Sequence, residues 1–122
     1  MLPAGCRHFY GVPEKRVSRL RGTRPFPNLT RASVVLIDDG LASGFTMKVA
    51  VEALKNLNTQ TIIVAVPTAH EESMNLIRSD VQAVFCPNVR SGLRYAVAEA
   101  YENWYDVDES EVKRILNNLS AS

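Results

Sequence analysis

Apolar residues recur along this 122-residue chain at two spacings. Val34-Val35-Leu36-Ile37 is an unbroken apolar run, and predicts a strand over 34–38 buried on both faces. Thr61–Val66 and Ala83–Cys86 repeat the pattern, and Pro67 and Pro87 are expected to stop those strands. Between the first two runs, Val49, Ala50, Ala53, Leu54 and Leu57 return at helical spacing, with Lys48, Glu52 and Lys55 on other faces. That helix should end near Asn58. Glu71–Ser79 fits a second helix with Met74, Leu76 and Ile77 turned inward. Strand–helix–strand–helix–strand at this spacing implies an α/β domain with a parallel sheet and right-handed crossovers. Tyr95–Trp104 also reads as helical. Asp108, with Glu111 three residues on, predicts a capped helix through Leu119. Upstream, residues 1–12 show no periodicity and Glu14–Leu20 allows a short helical turn. Gly22, Pro25 and Pro27 make Arg21–Arg31 a loop.

Composition narrows the class without naming a function. A chain that is 46% hydrophobic and 22% charged falls among ordinary globular domains, and its length suits one of them. No stretch approaches the ~18 apolar residues of a membrane span, so no membrane partner is expected. Met1-Leu2-Pro3-Ala4-Gly5-Cys6 resembles a lipoprotein box, but no apolar segment precedes the cysteine and a secretory signal is not expected. Cys6 and Cys86 lack metal-ligand spacing and read as reduced thiols, which implies a cytoplasmic setting. The net charge of +1 hides an asymmetry. Residues 1–33 carry seven Lys/Arg against Glu14 alone, or +6, and the rest carry seven basic against twelve acidic residues, or −5. No aromatic interleaving or nucleic-acid motif accompanies the basic arm, so a small polyanionic substrate is preferred to nucleic acid.

The chemistry concentrates at Asp38-Asp39-Gly40-Leu41-Ala42-Ser43-Gly44-Phe45-Thr46. Two carboxylates end the first strand, where an open parallel sheet usually binds its ligand. The small-residue loop after them leads into a helix and can aim backbone N–H groups at one anion. Ser43 and Thr46 add hydroxyl donors, Ser43 also being a candidate helix N-cap, while Leu41 and Phe45 contribute backbone or packing. Carboxylates beside a phosphate cradle suit a phosphorylated sugar. Asp38 and Asp39 are also hard oxygen ligands suited to Mg²⁺. No Gly-Lys-[Ser/Thr] follows, so the loop is not a P-loop. A response-regulator receiver would need another Asp after a later strand, which neither Val66-Pro67 nor Cys86-Pro87 supplies.

Four apolar residues, two acidic ones, a small-residue loop and Gly-x-Thr, in that order, resemble the signature of type I phosphoribosyltransferases. A looser likeness runs from about Arg21 to about Val112, closest to a broad prokaryotic branch with Arg-Gly-x-Arg-Pro before the signature and Trp-Tyr near the end. The resemblance implies a Rossmann-like parallel sheet, with residues 1–20 a separate N-terminal segment and 21–122 the domain. It implies transfer of phosphoribose from 5-phosphoribosyl-1-pyrophosphate (PRPP) to a nitrogenous base, with Mg²⁺. Asp38 and Asp39 would hold the ribose hydroxyls, and Gly40 to Thr46 the 5-phosphate. Arg21 and Arg24 would lie in a mobile catalytic loop and clamp the leaving pyrophosphate. His70, after Pro67-Thr68-Ala69, is either an acid–base group or a helix-start residue. Asn88, Val89 and Arg90 are placed near the acceptor, while Trp104 and Tyr105 read as core or interface.

Residues 1–20 show no buried strand with a pyrophosphate loop, which the family has upstream of the mobile loop. The expectation is a fold lacking an N-terminal strand, in a truncated or degenerate member. The sheet edge left bare would favour a homo-oligomer, with a dimer first. The alternative to an enzyme is a non-catalytic module that binds PRPP, a sugar phosphate or a nucleotide.

Overall fold

The computed structural model describes residues 14–121. Helix α1 spans Glu14–Arg21, with Arg19 and Arg21 in its last turn, where positive charge complements the helix dipole. Gly22 ends it at φ +67°, a left-handed conformation natural to glycine, and its N–H bonds back to the Ser18 carbonyl at 2.8 Å. Arg21 therefore closes a helix, where a loop was expected.

Strand β1 covers Ser33–Ile37, helix α2 Phe45–Asn56 and strand β2 Thr61–Ala65. Short strand β3, Thr68–His70, runs directly into helix α3, Glu71–Arg78. Strands β4, Ala83–Phe85, and β5, Asn88–Arg90, follow. Helix α4, Glu109–Ser120, begins at Asp108, whose carboxylate accepts the Glu111 N–H at 2.9 Å as its spacing predicted. Strands β1, β2 and β4 form one parallel sheet in that order, and β3 and β5 form a second parallel pair.

The two sheets are one ladder with a gap. Partners in β1 and β2 differ by 28 positions, and so do Leu41 and Ala69 beyond the gap. Partners in β2 and β4 differ by 20, as do those in β3 and β5. Register is thus kept, and Asp39, Pro67 and Pro87 stand at the same level of three neighbouring strands. Proline has no N–H to give, so the ladder opens there and resumes within a few residues. The prolines interrupt these strands and do not end them.

The core lies on one side of the sheet. Val51, Leu54, Ile62, Val64, Met74 and Ile77 are buried together as α2 and α3 pack on that face. The other face carries Val35, 51% exposed, Ile37, 78%, and Phe85, 62%. β1 alternates between exposed and half-buried positions. The expectation of a strand buried on both faces is corrected: both crossover helices pack on the same side. The stretch 95–104 is also not a regular helix; it holds one 3-10 turn, Val97–Ala100, flanked by extended Ala96 and Tyr101. Among the described residues no helix is long and apolar enough to cross a membrane.

Candidate functional site

At the gap in the ladder the chain turns through Asp38, Asp39 and Gly40 into the loop that opens α2. An open cleft of about 190 Å³ is lined there by Asp38, Gly40, Leu41, Ala42, Ser43, Gly44 and Thr46, with Met47 and Val97. Seven of the expected site positions thus share one cavity. Asp39 and Phe45 do not line it, and Phe45 is 67% exposed.

The loop is anchored on three sides. Leu41 is buried, and its N–H and carbonyl bond the Thr68 carbonyl and the His70 N–H at 3.1 and 3.0 Å. The buried Ser73 hydroxyl, from α3, donates to the Ala42 carbonyl. Gly44 adopts φ +80°, and a Cβ there would lie 3.0 Å from the Ser73 Cβ, so both conformation and space favour glycine. Gly40 is needed for closeness: a Cβ would come within 2.6 Å of a Val97 methyl. These anchors hold the loop in shape before any ligand arrives.

Gly44 is the N-cap of α2, with no capping side chain and no acidic residue in the first turn. This corrects Ser43 as the cap; its Oγ reaches the Phe45 N–H only at 3.4 Å. The other helix starts of the α/β unit and C-terminus differ. α3 is capped by His70 and begins with Glu71 and Glu72, and α4 has Asp108, Glu109 and Glu111. Leading N–H groups and the positive end of the α2 dipole are therefore left for an anion in the cleft.

Asp38 and Asp39 are both exposed, and of the two Asp38 lines the cleft. Asp38 Oδ1 accepts the Asp39 N–H at 2.9 Å, and the Tyr101 hydroxyl donates to the Asp39 carbonyl at 2.5 Å. Partial burial, and then the neighbouring Asp38 charge, push the Asp39 carboxyl above its ordinary value. Among the described residues no group of three or more His, Cys, Asp or Glu side chains is placed to hold a metal. The Asp pair is still suited to Mg²⁺, which keeps several waters and binds through one or two carboxylates plus substrate oxygens.

Other expected residues lie elsewhere. Arg21 stacks on Phe26 with its guanidinium 5.0 Å from the ring centroid, and Arg24 bonds the carbonyls of Leu20 and Arg21. Neither lines the cleft. His70 is the helix-start residue: Nδ1 accepts the Glu72 N–H at 3.2 Å and Nε2 lies 2.7 Å from the Gly92 carbonyl. Its second nitrogen is thus the donor. Arg90 bonds the Asn88 side chain at 2.9 Å. Trp104 is half exposed and meets Tyr101 edge to face, so it is not core. Sequence reasoning missed Ser73, Val97 and Tyr101, whose places arise only when distant segments meet.

Known proteins resemble this chain in sequence and in fold. The phosphoribosyl transferase domain model matches residues 10–100. Two Mycobacterium tuberculosis proteins that carry a provisional phosphoribosyl transferase name, MT0597 of strain CDC 1551 and Rv0571c of strain H37Rv, are each 27% identical over 104 residues. Those matches cover 85% of this chain, which spans only 23% of either relative. The crystal structure of TT1426 from Thermus thermophilus superposes with TM-score 0.74 at 30% identity, over 85% of this chain and 49% of that one. AQ2163 from Aquifex aeolicus gives 0.52 at 25% identity, over 57% and 34%.

Proposed function

The chain belongs to the phosphoribosyl transferase domain family, and from that premise we propose that it transfers 5-phosphoribose from PRPP to a nitrogenous base. The observation that carries this reading is one cleft joining an uncapped helix start to the carboxylate of Asp38, with Asp39 next to it in the chain. A phosphate and a pair of vicinal hydroxyls are the ligand groups such an arrangement fits.

In this reading the N–H groups of the 40–46 loop, with Ser43 and Thr46, hold the 5-phosphate. Asp38 and Asp39 accept hydrogen bonds from the ribose hydroxyls and lie near the positive charge that develops at C1. The C1–O bond to pyrophosphate breaks, pyrophosphate leaves with the electron pair, and the base nitrogen bonds C1 and gives up its proton. Asp38 or Asp39 would hold Mg²⁺, which would supply positive charge to offset that of the departing group. We place the protein in the cytoplasm and assign it a homodimeric state, the latter on its bare apolar sheet face.

Calorimetry with ribose 5-phosphate and with PRPP, each with Mg²⁺, tests the reading. Binding of both is expected, and no heat at millimolar ligand with folded protein overturns it. A second reading has its own support: among the described residues no Lys or Arg lines the cleft, which favours holding a sugar phosphate over stabilising a leaving pyrophosphate. Pyrophosphate release across a purine and pyrimidine panel separates a transferase from a binding module.

A further inference from the structure

We propose that Tyr101 is a positioning residue for the carboxylate pair, its hydroxyl fixing the Asp39 carbonyl between the cleft-lining residues Asp38 and Gly40. The proposal rests on the ribose-binding reading of Asp38 and Asp39. Asp39 lies in the gap of the ladder, between the last pair of β1 and β2, Ile37 and Ala65, and the bridge of Leu41 with Ala69. Its backbone is instead held by side chains at both ends. Asp38 Oδ1 takes the N–H, and Tyr101, 62 residues further on, donates to the carbonyl. Pinning the two peptide groups that flank its Cα fixes the direction in which the Asp39 carboxylate leaves the backbone.

The segment that delivers Tyr101 is itself secured. His70 Nε2 lies 2.7 Å from the Gly92 carbonyl, and the Tyr95 hydroxyl lies 2.9 Å from Thr68 Oγ1. Val97 then packs so closely over Gly40 that no Cβ fits between them. Extended Tyr101 follows, with Trp104 edge-on to its ring at 5.2 Å between centroids. Strap and ring stay in place without the hydroxyl, so Tyr101→Phe removes the contact to Asp39 alone. Burial, and the charge of Asp39, keep the phenol above its ordinary pKa and so a neutral donor.

The test compares wild type and Tyr101→Phe in ribose 5-phosphate and inorganic phosphate titrations, with the Asp39 carbonyl ¹³C resonance as a direct readout. Tyr101→Phe should weaken ribose 5-phosphate about threefold to tenfold, the range of one neutral hydrogen bond. Inorganic phosphate affinity should be unchanged, and the Asp39 carbonyl resonance should move. A purely structural role would weaken both ligands together or neither, and either result overturns the proposal, as does an unmoved resonance. A wild-type chain that binds phosphate but not ribose 5-phosphate overturns the ribose-binding reading itself.

Discussion

Ser73 holds the Ala42 carbonyl with its hydroxyl and stands 3.0 Å from where a Gly44 Cβ would sit. One buried serine on α3 therefore sets both the height of the 40–46 loop and the residue allowed at Gly44. Gly44→Ala must place a side chain at φ +80° and push Ser73 away, at a cost of about 1–3 kcal/mol. Ser73→Gly in the same chain should recover part of that loss, since it removes the Cβ contact but not the backbone strain. Urea unfolding of both single variants and the double variant measures the coupling. Strict additivity would show that the contact does not shape the loop.

Asp39→Asn and Thr46→Val are expected to separate the two ends of the site. The asparagine keeps shape but loses charge, so it should weaken ribose 5-phosphate and leave inorganic phosphate binding nearly intact. Thr46 lines the cleft, and valine there removes a phosphate donor at nearly constant volume. It should weaken both ligands. Loss of a charge-assisted hydrogen bond is worth roughly 1.5–3 kcal/mol, about tenfold to a hundredfold in affinity. Calorimetry with the two ligands reads the split; equal losses from Asp39→Asn would make its role merely structural.

The raised Asp39 carboxyl has a signed consequence for stability. Its partial burial and the Asp38 charge make the folded protein hold that proton more tightly than the unfolded chain does. The resulting stabilisation is present below the unfolded value, ~3.9, and is lost as pH rises through the higher folded value. Asp39→Asn should therefore be more stable than wild type at neutral pH, with the difference shrinking on acidification. Ribose 5-phosphate affinity of wild type should fall in the same window, at higher pH than for an ordinary aspartate. Unfolding midpoints of both proteins between pH 7 and pH 4 check the sign.

Short-range pattern explains which parts of this fold were legible. Val34–Ile37, Thr61–Ala65, α2 and the Asp108 cap each declare themselves within a dozen residues of sequence. β3 and β5 do not, because three residues after a proline, Thr68–His70 and Asn88–Arg90, carry no apolar run and exist only through register with neighbours. Tyr95–Trp104 has helical composition, but contacts of Tyr95 with Thr68 and Tyr101 with Asp39 favour extended backbone at both ends. The cleft loop was legible because one continuous segment builds most of it. Ser73 and Val97 were not, since each reaches the loop across more than thirty residues.

His70 is assigned by its hydrogen bonds to helix capping. His70→Ala should lose about 1 kcal/mol of stability, the usual value of a capping side chain. His70→Asn should retain much of it, because the Asn side-chain oxygen can replace Nδ1 as acceptor for Glu72. Both should leave inorganic phosphate affinity within about twofold. If asparagine matches alanine in thermal unfolding, the cap carries no stability. If either variant loses ligand while remaining folded, His70 belongs to the site.

Register puts Ile37, Ala65 and Phe85 in one row of the sheet, with Val35, Ile63 and Ala83 in the next. Alternation along each strand turns all six toward the side away from α2 and α3. Contiguous apolar surface of this kind is where self-association is expected. Ile37→Lys puts a charge on that face, at the end of edge strand β1 and at a position 78% exposed, so the fold itself should change by no more than about 0.5 kcal/mol. Wild type should sediment as a dimer at micromolar concentration, and the variant as a monomer with a near-identical unfolding midpoint. A monomeric wild type would remove the basis for the homodimer, and a dimeric Ile37→Lys would move the interface to another surface.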